Sequence, residues 1–171
     1  MKLLSFSLIL SLSIVAALRA EDTKLTVGEF NFTVTAPWTT GQNTGMMTKA
    51  VLQIPVEGGT PLDAKFYDFG GPSGGIDANI QRWVGQFEGT PEVKKEELEF
   101  KGIKVILLTV TGTYMDGMPG GAKTSRANHA LYGAILAGAK SNVFIKFTGP
   151  KEIAAKAQEA FKKLATSPFA N

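Results

Sequence analysis

Two stretches of helical periodicity, set into a chain otherwise patterned at period two, constrain this sequence more than any other feature. Ile76, Ile80, Trp83, Val84 and Phe87 recur at offsets of 0, 4, 7, 8 and 11, which gathers them on one face of a helix. Near the carboxyl end Ile153, Ala157, Ala160, Phe161 and Leu164 make a second stripe. It follows Pro150, a residue placed where a missing amide disturbs a helix least. Lys151, Glu152, Lys156, Glu159, Lys162 and Lys163 fall on the wet side of that helix. Each stripe has to be covered by apolar surface, and the strand-like runs are the partner available. The pattern therefore predicts an α+β domain, a mostly antiparallel twisted sheet covered by two main amphipathic helices. Periodicity leaves open whether the helices share one sheet face or take both.

The strand-like runs are read in chain order. Lys24 to Ala36 carries Leu25, Val27, Phe30, Phe32 and Val34 on one side with a slip at Gly28, predicting two short strands joined at a turn or bulge and ended by Pro37. Trp38 opens a polar loop to Thr44 and is expected to pack as a lid on the core. Met46 to Pro55 alternates, with Met46, Thr48, Ala50, Leu52 and Ile54 as the expected inner face. Across the turn Glu57 to Pro61, the run Leu62 to Phe69, with Ala64 and Phe66 inward, completes a hairpin. The first helix is expected to stop at Gly89-Thr90-Pro91. Charges crowd Val93 to Phe100, which reads as an exposed edge strand. Ile103 to Tyr114 is the strongest strand, with Ile106, Leu108 and Val110 in the core. His129 to Ala139 and Asn142 to Thr148 form a last pair packed through Ala130, Tyr132, Ala134, Val143, Ile145 and Phe147, in which Gly133 and Gly138 weaken the first member. Between these strands Met115 to Asn128 is expected to be the longest loop, and loops of that length often carry function.

Met1 to Ala20 reads as a removable export signal: Lys2, an apolar run from Leu3 to Leu18, and the small Ala20 before Glu21 and Asp22. The run is interrupted by Ser5, Ser7, Ser11 and Ser13 and is shorter than the roughly 20 residues of a spanning helix. The expected organisation is a signal peptide at 1–20 and a single mature domain at 21–171, exported to the periplasm or beyond, with no stable membrane insertion. With no cysteine in 171 residues, the chain has no disulfide brace, no thiol nucleophile, no thiolate zinc site and no redox dithiol. Of 18 basic side chains, Lys2 and Arg19 leave with the signal, so 16 face 15 acidic ones. A charge so near zero, with no polybasic run, argues against nucleic acid as a partner.

Candidate chemistry is sparse. Gly70 to Gly75 invites comparison with a phosphate cradle, yet Ile76 and Asp77 stand where a P-loop needs lysine and a hydroxyl, so the glycines are read as a tight turn. Asn79, Arg82 and Trp83, with Gln86, fall along one edge of the first helix and are candidates for contacting a ligand or partner. The alternative has Trp83 packing inward under the Arg82 stem. Arg126, in the long loop, and His129, the only histidine, complete the candidate set. A triad would have to join His129 to Ser73, Ser125 or Ser141, none of which stands in a nucleophile elbow. Paired carboxylates would have to come from Asp63, Asp68 and Asp77. One histidine without cysteine is a poor transition-metal set. No catalytic residue, cofactor or metal site is predicted.

The order of elements is a Phe-rich first strand ending at Pro37-Trp38, a meander, an inserted helix, further strands, and a last helix running from Phe161-Lys162-Lys163-Leu164 into Ser167-Pro168-Phe169. It resembles the PsbP/Mog1-like α/β/α sandwich, from which it departs at the glycine-rich turn and the Met115 to Asn128 segment. That resemblance implies a non-catalytic binding or assembly role, since most members have one. The stretch from Phe69-Gly70-Gly71 through Gly74-Gly75-Ile76-Asp77-Ala78-Asn79-Ile80-Gln81-Arg82-Trp83 also resembles one in uncharacterised exported bacterial proteins, a likeness that brings no function. The expectation is an exported, non-catalytic binding or assembly module of the bacterial envelope, engaging an envelope protein or a small ligand. A secreted hydrolase using His129 or a carboxylate pair, and a purely structural envelope protein, are the alternatives.

Overall fold

A computed structural model describes residues 22–43, 45–70, 75–117 and 120–170. The export-like segment Met1 to Ala20, and Gly71 to Gly74 with Ser73, lie outside the described residues. The elements run β1 (Thr23–Val27), β2 (Phe30–Val34), β3 (Thr39–Thr40), β4 (Thr48–Ile54), β5 (Leu62–Asp68), α1 (Ile76–Val84), β6 (Glu92–Phe100), β7 (Ile103–Asp116), β8 (Thr124–Ala137), β9 (Asn142–Pro150), α2 (Lys151–Lys156) and α3 (Gln158–Thr166), closed by a 3₁₀ turn at Ser167–Phe169. Strands β1 and β2 form a separate ribbon, and the other seven make one sheet in the order β3-β4-β5-β9-β8-β7-β6. Every pairing in both sheets is antiparallel.

The middle of this sheet is apolar on both sides. Every residue of β8 from Ala130 to Leu136 is buried, as are Val143, Phe144, Ile145 and Phe147 of β9. Ala130, Tyr132, Ala134, Val143, Ile145 and Phe147 enter one core, which α2 and α3 cover with Ala154, Ala157, Phe161, Leu164 and Ala165, and the β1–β2 ribbon with Phe30 and Phe32. Leu131, Ile135 and Phe144 enter a second core with Ile106, Leu108 and Val110 of β7, covered by Trp83 and Phe87, with Ile76, Ile80 and Val84 packed against it. The helices thus take opposite faces, which settles the open question in favour of an α/β/α arrangement.

Close contacts fix each cover in place. A side-chain carbon on Gly133 would collide with the six-membered ring of Trp83, so the glycine read as a weak point in β8 is the seat for the tryptophan of α1. The Trp83 ring then meets Phe144 edge-on at 6.3 Å. On the other face Trp38 caps the core as expected, its ring edge on Phe147 at 5.6 Å and its Nε1–H donating to Ala160 O at 3.2 Å. Phe169 stacks on Phe100 at 4.9 Å and touches Phe30 at 5.9 Å, joining the chain end to β6 and to the ribbon.

Several sequence expectations need correction. Helix α1 ends at Val84, where Gly85 closes it by donating to Gln81 O at 2.8 Å, well before Gly89. Phe87 is therefore not on the helical stripe, and the buried helical positions are Asn79 and Trp83. The last helix is broken at Ala157, whose N–H turns tightly onto Ala154 O at 3.0 Å, so its buried stripe includes Ala154 and Ala165. In β4 both Val51 and Leu52 are buried: Leu52 enters the core under α2 and α3, while Val51 lies against Gly41 of the segment that follows β3. Met46 and Met47, by contrast, are exposed. The polar loop after Trp38 contributes the two-residue strand β3, paired with Gln53 and Leu52.

Gly133→Ala is expected to lower the urea midpoint by an amount equivalent to about 1–3 kcal/mol, the usual result of forcing volume into a packed core. Combining it with Trp83→Leu should cost less than the sum of the two single changes, because both act on one contact. Strict additivity in the double-mutant cycle would show that the two residues do not share it.

Candidate functional site: a groove under the β7–β8 arm

β9 stops at Pro150, opposite His129, but β7 and β8 continue past it with Tyr114 opposite Arg126, Met115 opposite Ser125 and Asp116 opposite Thr124. Half of the predicted Met115 to Asn128 loop is therefore a two-stranded arm, which leaves only 117–123 outside the two strands. The arm escaped a periodicity reading because Thr124, Ser125, Arg126, Ala127 and Asn128 are all exposed and show no alternation. A register shift between Gly112 and Tyr114 bends the arm at its root. There Asn128 takes φ 52°, a conformation that asparagine tolerates better than most residues.

The arm is held from two sides. Leaving α1, the chain runs along the β7 edge that β6 no longer covers: Met115 N–H donates to Gln86 O at 2.7 Å and Glu88 N–H to Thr113 O at 2.9 Å. Phe87 bridges to Tyr114, their rings 5.3 Å apart. From the sheet, Lys146 of β9 donates through Nζ to Gln86 Oε1 at 2.6 Å and to the Tyr114 hydroxyl at 2.9 Å. Tyr114 in turn donates to the same Gln86 oxygen at 3.3 Å. The ammonium also sits 5.2 Å from the centre of the Tyr114 ring, within cation–π range.

Burial, then the like charge of Lys65, pulls the Lys146 amine down to about 8, with Asp116 opposing. Lys65 stands directly opposite Lys146 in the ladder. Burial, then Asp116 and Tyr67, pushes the Tyr114 phenol up to about 12.

Beneath the arm lies a groove of about 480 Å³. Tyr114, Asp116, Arg126 and His129 form one wall, Thr148, Gly149 and Pro150 the floor, and Pro61, Leu62 and Ile153 the facing wall. His129 lies parallel to Tyr114 with ring centres 6.2 Å apart, and its Nδ1 is 3.2 Å from Ala127 O. Arg126 and Asp116 approach to 3.6 Å with about half of each side chain exposed. A pair so wet contributes little to stability, which leaves both groups free to turn to an incoming molecule.

Of the sequence candidates, the structure brings Arg126 and His129 into this groove, whereas Asn79, Arg82 and Trp83 do not line it. Asn79 Nδ2 donates to Gly75 O at 3.2 Å and its Oδ1 accepts from Arg82 Nη1 at 3.0 Å, while Trp83 is core. Sequence reasoning missed Lys146 and Tyr114, and it set Gln86 on the edge of the first helix, whereas Gln86 lies beyond the end of α1 and accepts from Lys146. A signal was present for the first: one lysine inside the run Val143-Phe144-Ile145-Lys146-Phe147, where no charge belongs unless a partner receives it.

The hydrolase alternative meets geometric obstacles. Ser141 lies at the β8–β9 turn and donates to Asp68 Oδ2 at 3.2 Å. His129 is at the far end of the same hairpin, eight residues along β8, or about 27 Å at strand rise. Asp63 and Asp68 sit near opposite ends of β5, five residues and so about 17 Å apart. Among the described residues no hydrogen bond joins His129 to a serine. No helix among the described residues is long and apolar enough to cross a membrane.

No protein-family model matches the chain, and no curated protein does. Among solved structures the chain is similar to cyanobacterial PsbP (CyanoP) from Synechocystis sp. PCC 6803. The TM-score is 0.58 over 92% of this chain and 95% of that one, at 11% identity. The chain thus has a PsbP-like fold, in agreement with the order of its elements. At this identity the likeness speaks for the fold alone.

The two shifted groups make stability depend on pH in opposite directions. Below pH 8 the Lys146 amine is protonated whether the chain is folded or not. Between about 8 and its usual 10.5 only the unfolded chain holds that proton, so this group makes stability rise with pH. Tyr114 keeps its proton in the folded chain between 10.0 and about 12 while the unfolded chain loses it, so stability falls across that window. Lys146→Met is expected to shrink the gain in urea stability between pH 7 and pH 10 relative to the parent protein. An unchanged gain would place the amine in ordinary solvent.

Proposed function

We propose that the protein is an exported, non-catalytic binding or assembly module of the bacterial envelope, active after loss of residues 1–20, and that it engages a protein partner through the groove under the β7–β8 arm. The observation that carries this reading is the gathering of Arg126, His129, Tyr114 and Asp116 on one wall opposite Pro61, Leu62 and Ile153. The groove offers a partner both signs of charge and an apolar shelf. Protein interfaces join an apolar centre to a polar rim in the same way. Pinning by Lys146 and Gln86 holds the wall in shape before anything binds, which lowers the entropic cost of association. The binding and assembly roles implied by the PsbP/Mog1-like resemblance point the same way.

Two measurements test the proposal. N-terminal sequencing of the protein from its native source is expected to begin at Glu21, and a retained Met1 would sink the export reading. Pull-down from the native envelope fraction is expected to recover a specific partner with the parent protein. The Arg126→Ala/His129→Ala double variant should lose at least about tenfold of that recovery, since arginine and aromatic anchors dominate interfaces of this kind. Equal recovery by the variant would remove the groove from the interaction. Capture of no protein, with a small molecule co-purifying only with the parent, would favour the small-ligand alternative.

A further inference from the structure

The face opposite α1 carries a second concavity, unrelated to the arm. In ladder register Lys94, Thr109 and Tyr132 stand side by side across β6, β7 and β8. Helix α2 packs on β8 and β9, and α3 on β8 and β2. The helix layer thus leaves a step down to β7 and β6 at Thr109 and Lys94, away from the Phe100 end that Phe169 covers. Along that step run two adjoining lobes of about 200 and 220 Å³, both lined by Lys94, Thr109, Tyr132 and Gln158.

Tyr132 is the unusual member. Only 5% of it is exposed, and its ring packs against the stacked pair Phe147 and Phe161, each 6.2 Å away. Among the described residues its hydroxyl has no hydrogen-bond partner, yet the oxygen is not sealed from solvent. The hydroxyl therefore opens onto the trench as an unused donor, and burial raises its pKa while Lys94 opposes the rise, so it remains protonated at neutral pH. A phenol sunk this deep normally finds a partner.

The two lobes differ in chemistry. One adds Leu107 and Phe161 to the shared residues, with Lys95, Glu96 and Lys162 around them. The other adds Thr111 and Lys151. Glu92 also lines this second lobe, but it is bound to Lys94 at 2.9 Å and to the Thr111 hydroxyl at 3.3 Å. Glu96, at the first lobe, is bound through both oxygens to Lys162 at 2.8 and 3.0 Å. Lys151 has no ion-pair partner among the described residues. Lys95 is bound to Glu97 at 2.7 Å, so of the four lysines that line the trench only Lys151 stands outside an ion pair among the described residues, and the excess of positive charge is that one.

We propose that this trench is a binding site for a small aromatic carboxylate, whose anionic group accepts from the Tyr132 hydroxyl between Lys94 and Lys151 while its ring lies toward Leu107 and Phe161. The anion supplies the acceptor that the phenol lacks and a further negative charge beside Lys151, which stands outside any ion pair among the described residues while Glu92 is bound to Lys94, and the flat body lies toward Leu107 and Phe161. The site is separate from the arm groove and does not depend on it.

An NMR titration of the protein with 2-naphthoate, with neutral 2-naphthylmethanol as its control, tests the assignment. Saturable shifts at Thr109, Tyr132 and Gln158 are expected with the carboxylate, and at least about tenfold weaker binding with the alcohol. Tyr132→Phe should leave the urea midpoint unchanged, because no protein group loses a bond, and should weaken the carboxylate about tenfold, the usual worth of a hydrogen bond to a charged group. Lys151→Gln, at an exposed position, should weaken it several-fold, and Arg126→Ala should have no effect. Equal affinity for acid and alcohol, full affinity in both Tyr132→Phe and Lys151→Gln, shifts confined to the arm groove, or no saturable shift at all would each overturn the proposal.

Discussion

Strands β8 and β9 bury side chains on both of their faces, and a sheet with two apolar faces has to be covered twice. From Ala130 to Leu136 no residue of β8 reaches solvent appreciably, so a single helical layer would leave Leu131, Ile135 and Phe144 wet. At about 1.5–3 kcal/mol for each large apolar side chain withdrawn from water, that exposure would outweigh most of the stability a domain of this size possesses. The sequence carries two amphipathic helical regions for this reason, and they are driven to opposite sides. Each cover also needs room at the sheet. Gly133 opens the α1 face to the Trp83 ring, while Ala130 and Ala134 flank Tyr132 on the other and let α2 and α3 lie close.

The covers are narrower and shorter than the sheet, and both concavities arise at their margins. Beyond the end of β9, the strands β7 and β8 continue without a helix over them and become the arm. Beyond the side of α2 and α3, the strands β6 and β7 continue and become the floor of the trench. A polar site in a protein of this type is thus a place where the layering stops, and its residues are those a core does not need: threonines, lysines, one arginine, one histidine. Lys146 is the exception that links core to site. It occupies a strand position inside the covered area, where a charge would be costly without partners, and the partners it finds, Gln86 and Tyr114, belong to the two segments that build the arm.

How much could be read beforehand follows from how local each signal is. The Phe30 to Val34 strand, the edge strand rich in Lys and Glu, and the Ile103 strand each declare themselves within a few residues, and all are present. Helix α1 was legible at its start and not at its end. Gly85 alone is a weak stop, and what draws Gln86 to Glu88 out of the helix is the vacant edge of β7, a strand still to come in the chain. The arm was misread for a related reason. Thr124 to Asn128 has no buried face to impose alternation, and only the ladder partner makes it a strand. Of the residues offered as contacts, Arg126 and His129 meet in one groove through that same ladder, while Asn79 and Arg82 bond each other and Trp83 fills the core.

Residue order alone determined the class of this protein: strands at period two, two helical stripes that demand cover, and, without cysteine, a core that must supply the stability. These follow from each side chain's own affinity for water and from spacing along one short segment, so no knowledge of distant residues is needed. Tertiary structure decided which face each helix covers, where α1 lets go, and how Lys146, Gln86 and Tyr114 meet. A strand buried on both sides shows no alternation that tells one face from the other. A hydrogen bond between residues 60 positions apart likewise has no signature until the chain has folded around it.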